Sequence, residues 1–254
     1  MPQAREAGYE YVELPTYGLK PEEPEAAFEP ILKSIQSSGI PVEACNCFVP
    51  AEHKVTGPTA DMKDLETYMR KALSRASRAG AKIMVFGSGG ARQAPEGFPL
   101  DKAREQYRAA AKLAAELAGE VGMTIAMEPL GPAYCNHLNF VSQGSAIVDQ
   151  VNHPRLRVLA DLFHVDKGHE PFEDVTKAGG RLAHVHLATP SLPSVPGTGK
   201  GNPSYDFPGF IQAVRKAGYE GRMSVEDNPG VFWELKGDKL PAYRAAREFV
   251  QALL

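Results

Sequence analysis

The chain has 254 residues, 43% of them apolar and 23% charged, an ordinary globular balance that suits one large α/β barrel or two smaller domains. Its formal net charge of −3 gives no electrostatic case for nucleic acid or an anionic membrane surface. Three cysteines are too few for a disulfide framework, and no apolar run approaches the ~18 residues of a membrane span. The N-terminus lacks a basic region followed by an apolar one, so no signal peptide is expected, and a reducing cytoplasm fits the cysteines. Cys45-x-Cys47, with no second pair, is expected to be two buried thiols and not a zinc ribbon.

Residues Pro2–Ala7 read as the tail of a helix. From there the chain repeats an amphipathic stretch, a closing glycine and a short β-rich run, with a period of roughly 30–45 residues. The strand runs are Tyr9–Leu14, Ile40–Cys45, Lys82–Phe86, Met123–Met127, Arg157–Ala160, Leu182–Leu187 and Arg222–Val225. Gly8, Gly39, Gly80, Gly122 and Gly218 precede five of them, as glycines that close helices in the left-handed conformation. Helical patterns fall near 24–37, 61–79, 101–120, 142–151, 171–178, 206–217 and 240–253, with Asp61, Asp101 and Ser142 as N-caps. Repeated βα units with continuous apolar strands predict a parallel sheet covered on both faces. At this length the expectation is a single (β/α)8 TIM barrel over residues 1–254. Only seven strands are legible, so the first barrel strand is expected to be missing, through a late start or an imperfect closure beside Tyr9–Leu14. The Pro-, Gly- and Ser-rich stretch Thr189–Ser204 is either a lid or simply a long loop.

Four of the runs end on a metal-capable side chain: Glu128, Asp161, His186 and Glu226. In a parallel barrel the C-terminal strand ends share one face, so these four are expected to converge. Three carboxylates there would repel one another in a low-dielectric pocket, and a divalent cation removes that conflict. One nitrogen among oxygens favours Mn²⁺, Mg²⁺ or Co²⁺ over a structural Zn²⁺. His184 lies two residues before His186, on the same face and one layer deeper, as a supporting or packed histidine. His164 follows Asp161 where it could bond a substrate oxygen, unless it is an ordinary surface histidine. Arg92, at the end of the loop Gly87-Ser88-Gly89-Gly90-Ala91-Arg92, could bind a substrate hydroxyl or carboxylate. That loop lacks the Lys-Ser/Thr of a P-loop. Glu13, Asn46 and Trp233 fall at or after strand ends and complete the expected substrate lining with His184.

Glu128-Pro129-Leu130, Asp161-x-x-His164, His184-x-His186 and Ser224-Val225-Glu226, in that order, resemble the sugar phosphate isomerase/epimerase superfamily of xylose-isomerase-like barrels. Pro196-Gly197-Thr198-Gly199 followed by Tyr205-Asp206-Phe207 is similar to the same family's late region. The resemblance implies that Glu128, Asp161, His186 and Glu226 bind Mn²⁺ or a similar ion, as in ketose 3-epimerases. It also implies that Glu128 and Glu226 move the proton and that His164 contacts the sugar. Two positions depart from that subgroup: Tyr134 stands where it carries a Glu, and Leu192 where it carries an Arg.

The expected chemistry is proton transfer beside the carbonyl of a sugar or cyclitol, through an enediolate stabilised by the cation. Epimerisation and isomerisation are the leading outcomes. Dehydration of a keto-sugar or keto-cyclitol on the same site, or a sugar-binding barrel without catalysis, are the alternatives. A zinc phosphodiesterase on the same fold would need more histidines and a cationic groove than this chain offers. Assembly into a homodimer or tetramer stays open.

Overall fold

Alternation along each run decides which side chains face the helices and which face inward. A computed structural model describes residues 1–187, 205–226 and 237–254. Helix α1 (Pro2–Glu6) leads into β1 (Val12–Pro15), α2 (Glu25–Ser37), β2 (Val42–Asn46), α3 (Met62–Ala79) and β3 (Ile83–Phe86). The short α4 (Gly89–Arg92) and the long α5 (Leu100–Glu120) follow, then β4 (Thr124–Met127), α6 (Val141–Val151) and β5 (Leu156–Asp161). The chain continues through α7 (Leu162–Lys167), α8 (Phe172–Ala178), β6 (Leu182–His186), α9 (Phe207–Lys216), β7 (Met223–Ser224) and α10 (Leu240–Leu253).

The seven strands are all parallel and lie in chain order, β1 to β7, as a nearly closed TIM barrel. Every predicted strand run and helical pattern has its counterpart among these elements, and α1 is the helix tail read from Pro2–Ala7. Among the described residues no backbone ladder joins β1 to β7. They approach through side chains instead, with Tyr11 Oη 2.8 Å from Ser224 Oγ. Beside this seam lies a mostly apolar cavity of about 390 Å³ lined by Tyr9, Val12, Leu14, Met223 and Tyr243.

Met84, Phe86, Ile125, Met127, Val158 and Ala160 join the main core between sheet and helices. The alternate row, Val85, Ala126 and Leu159, forms a separate small cluster on the inner side. Continuing that inner row by two residues reaches Glu128, just after β4, and Asp161 at the end of β5. The barrel is therefore plugged by apolar side chains below and carries its polar groups at one end.

The closing glycines behave as their positions predict, each with positive φ. At Gly80 (φ 111°) a Cβ would stand 2.9 Å from the Val42 carbonyl oxygen, so a side chain there is excluded twice over. Asp61 does cap α3, accepting from the Lys63 amide at 2.8 Å. Two predicted caps are corrected. Asp101 lies inside the first turn of α5, which opens after Pro99. Ser142 lies inside α6, whose start is capped from a distance: the Glu170 carboxylate accepts from the Val141 amide at 2.9 Å and the Ser142 amide at 3.1 Å. Cys45 and Cys135 are buried as expected, but Cys47 is exposed because its φ of 50° turns it out of the strand row. No helix among the described residues is long and apolar enough to cross a membrane. Thr189–Ser204, including Pro196–Gly199 and Leu192, lies outside the described residues.

Candidate active site

The inner row delivers four donors to one point. Asp161 and His186 are the last residues of β5 and β6, Glu128 follows β4, and Glu226 comes two residues after β7. One ligand atom from each lies within 4.8 Å of every other. His186 Nδ1 is 3.0 Å from Glu226 Oε2 and 3.4 Å from Glu128 Oε1.

Electrostatics follow from that crowding. Burial, with the facing Glu226 and Glu128 carboxylates, pushes Asp161 well above the usual carboxylate range, against the pull of His186. At Glu128 burial raises the carboxyl, but the facing His186 ring at 3.4 Å, with the His164 and Arg92 charges, outweighs it and holds it low. At His186 burial alone would favour the neutral ring, yet Glu13, Glu226 and Glu128 raise its pKa well above the ordinary imidazole value.

The set fits a divalent cation. Three carboxylates and one imidazole form a hard, mostly oxygen donor set. His186 Nδ1 is buried and makes no hydrogen bond, while Nε2 lies 3.0 and 3.2 Å from the two Glu13 oxygens. An ionised carboxylate only accepts, so the proton belongs on Nε2 and the Nδ1 lone pair faces the other three donors. A proton on Nδ1 and a cation beside it are alternatives, and the carboxylates attract either.

His164 is buried beside the cluster, not on the surface, with Nε2 3.8 Å from Asp161 Oδ2. The Gly131 amide donates to its Nδ1 at 3.2 Å, which leaves the proton of the neutral ring on Nε2. Burial lowers its pKa; Glu128 opposes that, and Arg92 and His186 add to it. The ring is a neutral donor aimed at the site. Tyr134, half exposed, stands edge-on to His164 with ring centres 5.3 Å apart. Asn46 Nδ2 donates to Glu226 Oε1 at 3.4 Å, so it steadies a site carboxylate.

Three residues of the expected substrate lining are engaged by protein partners, His184 in the packed position that its place one layer deeper suggested. Glu13 lies behind His186, its carboxylate taken up by His184 Nε2 (2.8 Å), His186 and Ser224 Oγ (2.6 Å). His184, 1% exposed, is held in the same network and not at the open side. Arg92 is fully buried, lies over the Tyr107 ring at 5.2 Å and donates to the Leu138 carbonyl at 3.3 Å. Its glycine loop serves close packing: a Cβ at Gly87 would overlap Glu128 Oε2, and one at Gly90 would stand 3.1 Å from Ala51 Cβ. Trp233 lies outside the described residues. Tyr11 was not singled out from the sequence, and Ser224 entered only as part of the Ser224-Val225-Glu226 motif, without a role. The signal was present, since each lies two residues before Glu226 or Glu13 in the inward row.

The family model for xylose isomerase-like TIM barrels matches residues 1–253. A probable ketose 3-epimerase of Synechocystis sp. is 31% identical over 133 residues, which cover 51% of this chain and 44% of that protein. This chain thus matches less than half the length of that curated relative. Among solved structures, D-allulose 3-epimerase from Methylomonas sp. in complex with D-allulose aligns with a TM-score of 0.81 at 23% identity, over 100% of this chain and 89% of its own. An L-ribulose 3-epimerase aligns with a TM-score of 0.80 at 20% identity, over 99% of this chain and 86% of its own. At such identity the structural likeness carries the fold.

Proposed function

Because the chain belongs to the xylose isomerase-like TIM-barrel family, we propose that it is a divalent-metal-dependent isomerase or epimerase of a sugar or cyclitol. The observation that carries this reading is the convergence of Glu128, Asp161, His186 and Glu226 within 4.8 Å. Its chemistry is proton transfer beside a carbonyl. The names of the matched relatives, ketose and L-ribulose 3-epimerases, support the same class.

Glu128, Asp161, His186 and Glu226 would hold the cation, with Mn²⁺ the ion that best suits one nitrogen among oxygens. When bound, it supplies positive charge to a carbonyl oxygen whose neighbouring carbon is losing a proton. Glu128 and Glu226 are the acid–base pair. One takes the proton from carbon, and the other returns it to the opposite face in epimerisation. In isomerisation the same carboxylate returns it to the former carbonyl carbon, while the neighbouring hydroxyl loses its proton to become the new carbonyl and the old carbonyl oxygen gains one. Asn46 restrains Glu226, and His164 Nε2–H donates to a substrate oxygen without competing for the proton. Gly87 leaves the space that the Glu128 carboxylate occupies.

The test is deuterium wash-in from solvent across ketoses, inososes and hydroxypyruvate, with and without Mn²⁺. Metal-dependent exchange at the carbon beside the carbonyl is expected. Glu128→Gln and Glu226→Gln should each slow it by about 10²–10⁴-fold. Exchange that survives both substitutions would overturn the acid–base assignment. Net loss of water from an exchanging substrate would redirect the reading to dehydration.

A further inference from the structure

The most completely satisfied polar group next to the cluster is one the proposed reaction does not consume. Glu13 accepts from three donors: Ser224 Oγ at 2.6 Å, His184 Nε2 at 2.8 Å and His186 Nε2 at 3.0 Å. The donors order themselves. Ser224 has one hydroxyl proton, and the short contact to an acceptor-only carboxylate claims it. Ser224 Oγ must then accept from Tyr11, whose hydroxyl is 2.8 Å away and is kept protonated by burial. The chain of bonds is directional: Tyr11 to Ser224, Ser224 to Glu13, with both histidines donating to Glu13 from their Nε2 atoms. Each member comes from the inner row of β1, β6 or β7, or from the residue just before β1.

We propose that Glu13 is a positioning residue that locks His186 as the Nε2–H tautomer and so presents Nδ1 to the cation, with Ser224, Tyr11 and His184 holding Glu13 in place. The proposal rests on the reading of His186 as a ligand. A carboxylate behind a ligating imidazole fixes both the ring's orientation and its basicity, and loss of such a partner typically weakens metal binding 10–100-fold. Two alternatives fit the structure less well. Glu13 is not a substrate contact, because its oxygens are already engaged and it is only 8% exposed at the side chain. Glu13, His184 and His186 could themselves surround a second ion. Their mutual spacings of 2.8–3.0 Å are, however, those of hydrogen bonds already made.

The experiment is Mn²⁺ titration of the full chain, with free ion read by electron paramagnetic resonance, for wild type, Glu13→Gln, Ser224→Ala and His184→Ala. Glu13→Gln is expected to weaken Mn²⁺ binding 10–100-fold with an unchanged stoichiometry of one, and Ser224→Ala to weaken it by less. The visible absorption of the Co²⁺-loaded protein should shift in Glu13→Gln, which a remote structural effect would not cause. The melting temperature of the metal-free variants reports folding separately. If wild type binds one Mn²⁺ and Glu13→Gln binds it within twofold as tightly, this assignment is wrong while the proposed function stands. A second equivalent that disappears in His184→Ala would also overturn it, making Glu13 a ligand. No binding by wild type would sink the metal-dependent function itself and the assignment with it.

Discussion

At Gly87 the absence of a side chain is what lets Glu128 sit where it does, since a Cβ would collide with Oε2. The colliding atom is the far end of a side chain, so Gly87→Ala should displace Glu128 and leave the fold in place. A misplacement of about 1 Å can cost about 10²-fold in rate. Gly87→Ala should therefore slow deuterium exchange by about that factor with a melting temperature near wild type, measured by calorimetry. His53 makes a different kind of prediction. Burial of its ring pulls the pKa down, but Asp64 (2.6 Å) and Glu22 (3.2 Å) outweigh that and raise it. A raised folded pKa means the charged ring stabilises fully below the unfolded value of about 6.5, and the contribution disappears as pH rises through the folded value. Urea midpoints should thus fall for wild type from about pH 6 upward through neutrality, and less so for His53→Gln. Equal slopes would contradict this account. The sequence made Glu128, Asp161, His186 and Glu226 legible because a strand's end fixes where its last side chain points. It could not separate Glu13 or His184 from a substrate contact, because a period of two gives a face and not a neighbour. Arg92 shows the same limit: the loop's position follows from the sequence, but not that α4 lays the guanidinium over Tyr107.

Elements were more legible than their ends. Glycines before each strand marked where helices close, since a left-handed residue is a local requirement that glycine alone meets cheaply. The start of α6 had no such local mark. Its cap, Glu170, comes from beyond β5 and α7, and nothing adjacent to Val141 announces it. Burial raises the Glu170 carboxyl, with the Val141 and Ser142 hydrogen bonds pulling against it. Glu170→Ala should cost about 1–2 kcal/mol, the usual worth of a helix cap. For a protein of this size that corresponds to roughly 2–4 °C in melting temperature per kcal/mol. Circular dichroism would detect it. A variant as stable as wild type would mean that water caps α6 equally well.

For the molecule as a whole, the sheet order β1 to β7 brings distant parts of the chain to one rim, so a ligand at that rim couples to the entire barrel. An ion that binds only the folded state stabilises it by about 2.7 kcal/mol at one hundred times its dissociation constant. Saturating Mn²⁺ is accordingly expected to raise the melting temperature by roughly 5–10 °C. Asp161→Asn should abolish that shift. It should leave the metal-free protein no less stable, because it removes one of three mutually repelling carboxylates.

The β1–β7 seam has a consequence of its own. Where other neighbours are laced by main-chain bonds, these two strands are clasped by Tyr11, Ser224 and Glu13, whose last link leans on His186. If His186 ligates an ion as proposed, opening this clasp would weaken the ion's hold and the ion would in turn hold the clasp shut, since coupling between two processes is reciprocal. Amide protons of Val12–Leu14 and Met223–Ser224 should trade with heavy water sooner than those of the central strands, and Mn²⁺ should slow them most.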